Sequence, residues 1–297
     1  MSRAISPSSK QPYGVARVTL VWDLARSSFY AARHRQQQPR ETKKRGPQVH
    51  SDQELIGEIR QLLSEPVFTG EGYRKIWARL RHKGVRTSKD RVLRLLREHQ
   101  LLSPSRQPEL RRSHPHEGRI VSEGPNQMWG TDATATFTAA EGAVTVFAAI
   151  DHCTAECVGI HAVKKATRFE ALEPIRQGVK EYFAGFSADS AEGLRLRHDH
   201  GSVYMSDDFQ AEIQFLGIQP SPAFVRQPEG NGCIERFFRT LKEQLLWIRR
   251  FRDLSELRAA LIEFRDRYNQ HWIIQRLAYR TPAQARRDFS VDLKVAA

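Results

Sequence analysis

Cysteine is scarce in this sequence: Cys153, Cys157 and Cys233 are the only three in 297 residues. An odd number in a long chain excludes a disulfide framework. Cys153 and Cys157 lie four apart and Cys233 is remote, so there is no CxxC pair and no His/Cys set at zinc spacing. Three reduced thiols in or near a core point to a reducing, cytoplasmic setting. Long apolar runs are missing too, and with them any stretch of the length a membrane span needs. The N-terminal MSRAISPSSKQPYG has no apolar signal core. Acidic residues are thin in one part of the chain only. Residues 1–118 hold 24 Lys and Arg against 11 Asp and Glu, whereas residues 119–297 hold 23 of each. The whole net charge of +13 therefore sits in the first two fifths. That asymmetry suggests a basic binding part joined to an electrically balanced part, with nucleic acid as the default polyanionic partner.

What is present divides into pieces. Residues 1–48 read as a disordered start over 1–14, a helical pair over 18–35 and a basic linker, QQQPRETKKRGPQ. Leu20, Trp22, Leu24 and Tyr30 are the expected apolar anchors of that pair. Residues 49–103 carry three helical patterns. SDQELIGEIRQLLSE opens on a Ser51/Glu54 capping box. GEGYRKIWARLRHKG ends at Gly84, and TSKDRVLRLLREHQLL starts at Thr87 or Ser88. Three short helices with a tight second turn suit a helix-turn-helix domain, whose third helix offers Lys89, Arg91, Arg94 and Arg97 to DNA. Residues 104–125 form a second linker, where His114 and His116 read as bystanders rather than ligands.

Beyond the second linker the pattern changes. QMWGTDATATF alternates as a strand, AVTVFAAIDHCT is a continuous apolar strand, and ECVGIHAVK is a third in an antiparallel meander. A helix over 167–186, a strand over 194–202, a helix over 206–218 and a short strand over 219–224 follow. Two amphipathic helices close the series, giving βββαβαβαα over residues 126–290. This predicts an α/β fold, a mixed sheet flanked by helices and preceded by a small all-α domain.

Three acids fall at chemically useful places. Asp132 lies in the first strand, Asp199 ends the fourth, and Glu235 opens the helix after the Pro-Glu-Gly-Asn-Gly break. Phe238, Arg239 and Lys242 follow Glu235 at three, four and seven residues, which at helical spacing puts them along its face. Two strand-borne acids and one helix-borne acid can meet at one end of a sheet. Clustered carboxylates repel and need a cation; hard oxygen ligands select Mg²⁺ or Mn²⁺. Two such ions serve phosphoryl transfer without a protein nucleophile. Asp151 and the Asp207-Asp208 pair read as structural, the pair because acids suit a helix N-terminus.

The segments WGTDATATF, RHDHGSVY and PEGNGCIERFFRTLKEQL, in that order, resemble the Asp-Asp-Glu motif of retroviral-integrase-type transposases. Thirty-five residues separate Asp199 from Glu235, and Lys242 follows seven later, the pattern of the IS-three family of bacterial insertion sequences. GYRKIWARL and VLRLLREHQLL resemble the helix-turn-helix before that core, and RYNQHWIIQRLAYRTPAQAR resembles its C-terminal end. The resemblance implies an RNase H-like core that cuts and joins transposon ends with Mg²⁺ or Mn²⁺, two ions in all. It implies Asp132, Asp199 and Glu235 as metal ligands and catalytic residues, and Lys242 as a DNA contact, with Arg239 beside it. Trp129 and Asn231 fit as packing and backbone-positioning residues. The implied partners are transposon-end and target DNA and further copies of the chain, in a bacterial, nucleoid-associated cytoplasmic setting. The family's first reading frame supplies another helix-turn-helix and a leucine zipper. No sustained heptads occur here, so the chain resembles the second-frame product, with the first-frame protein as a partner. The competing expectations are a non-catalytic DNA-binding regulator or element remnant, and an RNase H-type nuclease that does not join.

Overall fold

A computed structural model describes residues 4–37, 50–64, 66–104, 122–183, 185–222 and 231–296, of which 35–37 and 290–296 are described by backbone alone. Most of both expected linkers, including His114 and His116, lies outside the described residues. The chain divides into two compact units, Met1–Ser51 and Asp52–Ala297.

In the first unit, residues expected to be disordered instead form a small turn closed by an Ile5–Pro12 bridge. Helices α1 (Gly14–Val21) and α2 (Arg26–Gln37) follow. The expected anchors do not anchor: Leu20 is 81% exposed, Trp22 59%, and Leu24 and Tyr30 52% each. Two short helices side by side enclose no interior, and the side chains buried here are the small Ser6 and Thr19.

The second unit begins with α3 (Asp52–Ser64), α4 (Tyr73–His82) and α5 (Lys89–Glu98). Apolar residues at helical spacing converge: Leu55 and Ile59, Ile76 and Leu80, Val92 and Leu96 are all buried together. The Ser88 hydroxyl caps α5 by accepting from the Arg91 N–H.

A five-stranded sheet follows, β1 (Met128–Thr138), β2 (Gly142–Asp151), β3 (Cys157–Val163), β4 (Arg195–His198) and β5 (Gln219–Pro222). Its order is β3-β2-β1-β4-β5. The β1–β2 and β2–β3 pairs are antiparallel, and β4 and β5 join parallel. Helices α6 (Arg168–Tyr182) and α7 (Asp207–Phe215) cover one face. On the other lie α8 (Gly232–Leu241), a π turn (Lys242–Leu246) and α9 (Leu254–His271), with α10 (Pro282–Ala296) at the end. Alternation in β2 serves both faces: Val144, Val146, Ala148 and Ile150 pack with α8 and α9, Phe147 and Ala149 with α6 and α7. The sheet tolerates α6 at close range because Gly159 has no side chain; a Cβ there would stand 2.0 Å from the Pro174 carbonyl oxygen. This is the expected α/β class, an RNase H-like mixed sheet with an all-α domain before it.

The helical trio also packs onto the core. Phe68, between α3 and α4, joins the cluster of Leu257 and Phe264. Thr69 clamps the π turn: its N–H and hydroxyl donate to Gln244 Oε1 at 2.9 and 3.1 Å, and Gln244 Nε2 donates back to the Thr69 carbonyl. Trp77 meets the Tyr279 ring edge-on, 5.3 Å between centroids.

Candidate active site

The parallel register between β1 and β4 explains how two distant acids become neighbours. Met128 pairs with Arg195, Trp129 with Leu196 and Gly130 with Arg197. Carried two residues past the last pair, the same offset sets Asp132 level with Asp199. Adjacent strands lie about 4.8 Å apart. Asp132 is half-buried and its Oδ1 accepts from the Ala133 N–H at 2.8 Å. Asp199 is exposed in the turn after β4, where its Oδ1 accepts from the Gly201 N–H at 2.8 Å.

Glu235 reaches the same region from α8, on the exposed side of its first turn. The face opposite is apolar: Ile234, Phe237, Phe238 and Leu241 are buried against the sheet. Phe238 therefore departs from the expected stripe along Glu235. Its ring is 5% exposed, because the apolar arc of α8 is wide enough to take in the i+3 position. Asn231 fastens the start of α8 to β1, its Nδ2 donating to the Thr131 carbonyl at 3.1 Å, one residue before Asp132. Only glycine fits beneath it: a Cβ on Gly130 would lie 2.6 Å from Asn231 Oδ1 and 2.7 Å from His152 Nε2.

Electrostatics link the group. Burial raises the Asp132 carboxyl to about 6, and the charges of Asp199 and Glu235 push it the same way. The Ala133 N–H and the Lys242 ammonium pull against them. One carboxyl thus feels two other carboxylates and one lysine drawn from two distant segments, the turn after β4 and the α8–π-turn stretch. Among the described residues, no three His, Cys, Asp or Glu side chains are drawn together tightly enough to enclose an ion. Arg239 pairs with Glu243 at 3.1 Å one turn on.

Beneath Asp199 lies a layer to which the sequence pattern gave no role. His198 is buried, its Nδ1 lies 2.7 Å from the Asp199 carbonyl oxygen, and its ring stacks on Tyr204, 5.7 Å between centroids. Tyr204 in turn meets Phe209 edge-on. Burial lowers the His198 imidazole, which keeps this layer neutral under the acids. The His-Asp-His-Gly-Ser-Val-Tyr run held the signal, an aromatic five residues after an acid. Asp151 is structural as expected, fully buried and accepting from the Thr154 N–H and hydroxyl and the Asn126 N–H. Asp207 and Asp208 open α7, capped by Ser206. The three cysteines are free, two of them buried.

The four α5 cations have different surroundings. Arg91 is mostly buried and bonds Asp52 of α3. Arg94 bonds Asp52 and Glu98. Those two guanidinium bonds, Arg94 first, hold the Asp52 carboxyl below its usual range. The Lys89 ammonium sits over the Trp77 and Tyr279 rings, 4.5 and 5.1 Å from their centroids. Arg97 is exposed.

Two family models, both described as "Integrase core domain", match residues 122–228 and 216–282. A third, "HTH-like domain", matches residues 51–109. The chain thus resembles integrase-core proteins over residues 122–282 and helix-turn-helix proteins over residues 51–109. It is 26% identical over 239 residues to the transposase InsD of the insertion element IS2A/D/F/H/I/K of Escherichia coli, with 78% of each chain covered. InsD of element IS2-9 from Escherichia coli strain K12 matches at the same identity, with 78% of this chain and 76% of the relative covered. Among solved structures, a simian T-cell lymphotropic virus intasome in complex with PP2A regulatory subunit B56 gamma aligns at 19% identity and a TM-score of 0.48, covering 77% of this chain and 74% of that one. Among the described residues, no helix is long and apolar enough to cross a membrane.

Proposed function

We propose that the chain is a metal-dependent DNA strand transferase that cuts and joins the ends of an insertion element. One observation carries the reading: the raised Asp132 carboxyl, which feels Asp199 and Glu235 against Lys242. Three carboxylates from a strand, a strand end and a helix are an all-oxygen donor set that repels itself, and the chemistry suits a hard divalent cation. Asp132, Asp199 and Glu235 would hold Mg²⁺ or Mn²⁺, two ions in all, which when bound supply an activated attacking oxygen and a stabilised leaving oxygen.

The chain's own residues do the rest. Lys242 places a cation two turns along the helix from Glu235, where it holds a backbone phosphate of the substrate strand. Arg239, shared with Glu243, adds a second positive group on the same stretch. Asn231 positions α8 against β1, so the helix-borne acid moves with the strand-borne one. The helix-turn-helix trio and the basic N-terminal part hold DNA through its phosphates, and further copies of the chain assemble on it. The first-frame protein of the element completes end recognition.

The test is cleavage and joining of candidate element-end DNA with Mg²⁺, run with and without a first-frame product. Asp199→Asn is expected to abolish cleavage while DNA affinity stays within about twofold. Equal loss of binding and cleavage assigns the acid to structure. Binding by the wild type with no cleavage under any condition favours the regulator or remnant reading.

A further inference from the structure

The π turn after α8 decides where Trp247 lies. The Trp247 N–H donates to the Lys242 carbonyl at 2.9 Å, five residues back. In α geometry a residue five positions on lies about 140° round the helix. The wider π turn brings it to within roughly 50°. Trp247 is thereby rotated back towards the side that carries Glu235 and Lys242. Leu245 and Leu246 take the inward positions. Trp247 is left 71% exposed and Ile248 66%. An indole and a branched aliphatic side by side in water need an explanation.

The surroundings say what would cover them. Residues 236–252 hold six Lys and Arg against a single acid, Glu243. Arg249 and Arg252 converge on Glu256, and Arg250, three residues after the indole, is exposed. An apolar protein surface gains little from such a field. A nucleotide uses both features, its base face on the ring and its phosphate on the cations.

We propose that Trp247 is a stacking platform for an unpaired base at the DNA end, with Ile248 wedged beside it and Arg250 on the neighbouring phosphate. This rests on the reading of the chain as a DNA strand transferase and adds a contact that the three acids and Lys242 do not make. A frayed or single-stranded end beside Lys242 gains the stack; a blunt paired end does not.

The experiment titrates the full chain with a labelled blunt duplex and with the same duplex carrying a short single-stranded 3′ overhang. The wild type binds the overhang more tightly. Trp247→Ala removes that preference, weakening overhang binding by roughly 5- to 50-fold while leaving the salt slope unchanged, because stacking releases no counterions. Trp247→Phe restores most of the preference. Arg250→Ala lowers the slope by about one. Equal affinity of the wild type for both DNAs, or an overhang preference intact in Trp247→Ala, overturns the proposal. So does a Trp247→Ala variant whose DNA preference is unchanged but whose sedimentation shows a lost dimer, since a second copy then covers the patch. A wild type that binds neither DNA instead removes the DNA reading itself, and so the two failures are told apart.

Discussion

Asp132 is where the site's chemistry shows as an energy. Its folded carboxyl titrates at about 6, above the 3.8 of a free aspartate, because burial and two neighbouring acids disfavour the charge. A raised acid pKa means the folded state holds the proton more tightly than the unfolded one. Without metal, stability therefore falls as pH rises from about 4 to 6, and the cost is fully present above that. Asp132→Asn keeps an oxygen for the Ala133 N–H and removes the charge. In metal-free buffer at pH 7.5 it is expected to be more stable than wild type by about 1–2 kcal/mol, a rise of a few degrees in thermal midpoint. The gap closes at pH 4. Mg²⁺ raises the midpoint of the wild type and not of the variant. A variant less stable than wild type at pH 7.5 would show that the carboxylate is not under strain. Asn231 offers a second residue-scale test. Asn231→Ala costs about 1 kcal/mol of stability for the hydrogen bond to Thr131. Strand transfer falls by more than that figure implies, because α8 is no longer tied beside Asp132. Equal small losses in both would make Asn231 a structural residue alone.

At the scale of elements, α5 carries both what the sequence disclosed and what it withheld. Its helical pattern, its Ser88 cap and its place in a trio were legible, because spacing and capping are local. The partners of Arg91 and Arg94 were not, because Asp52 sits 39 and 42 residues away. The salt slope tests the division. The three α5 arginines look equivalent as a sequence, and their replacement would flatten the slope by up to about three units. With Arg91 and Arg94 committed to Asp52, Arg97→Ala is expected to lower it by about one, while Arg91→Ala changes it little and loosens the trio. Three equal decrements would show that the ion pairs open on DNA. Helix α8 divides the same way. The exposed position of Glu235 on a helix was readable from its spacing, whereas the inward Phe238 depends on how wide an arc the sheet covers. The π turn has no signature in the sequence, and Trp247 was missed with it. The N-terminal pair was misread for a related reason: apolar residues at helical spacing promise a core only if something larger lies opposite, and α1 and α2 are too short to supply it.

Along the whole chain, a basic first part precedes an electrically balanced second part. The charge division and the order of the three acids were visible in the sequence, since both depend on composition and order alone. The parallel β1–β4 register that draws Asp132 and Asp199 into one region was not, because it is a property of strands brought together across 66 intervening residues. The clamp of Thr69 on Gln244 was equally hidden. It ties the helical trio to the π turn that begins at Lys242, so under the proposed function DNA held by the trio and DNA held at the acids would be coupled through this clamp. Gln244→Ala is expected to leave DNA affinity within about twofold and to cut joining by a larger factor, because Lys242 loses its support. A matched loss of both would place the clamp in binding alone. The most direct measurement is Mg²⁺-dependent cleavage and joining of element-end DNA by the wild type and by Asp132→Asn, Asp199→Asn and Glu235→Gln, with binding followed in the same samples. Each variant is expected to lose cleavage and joining by at least about a hundredfold while binding DNA as the wild type does. Any one of the three retaining wild-type cleavage would contradict the three-carboxylate metal site.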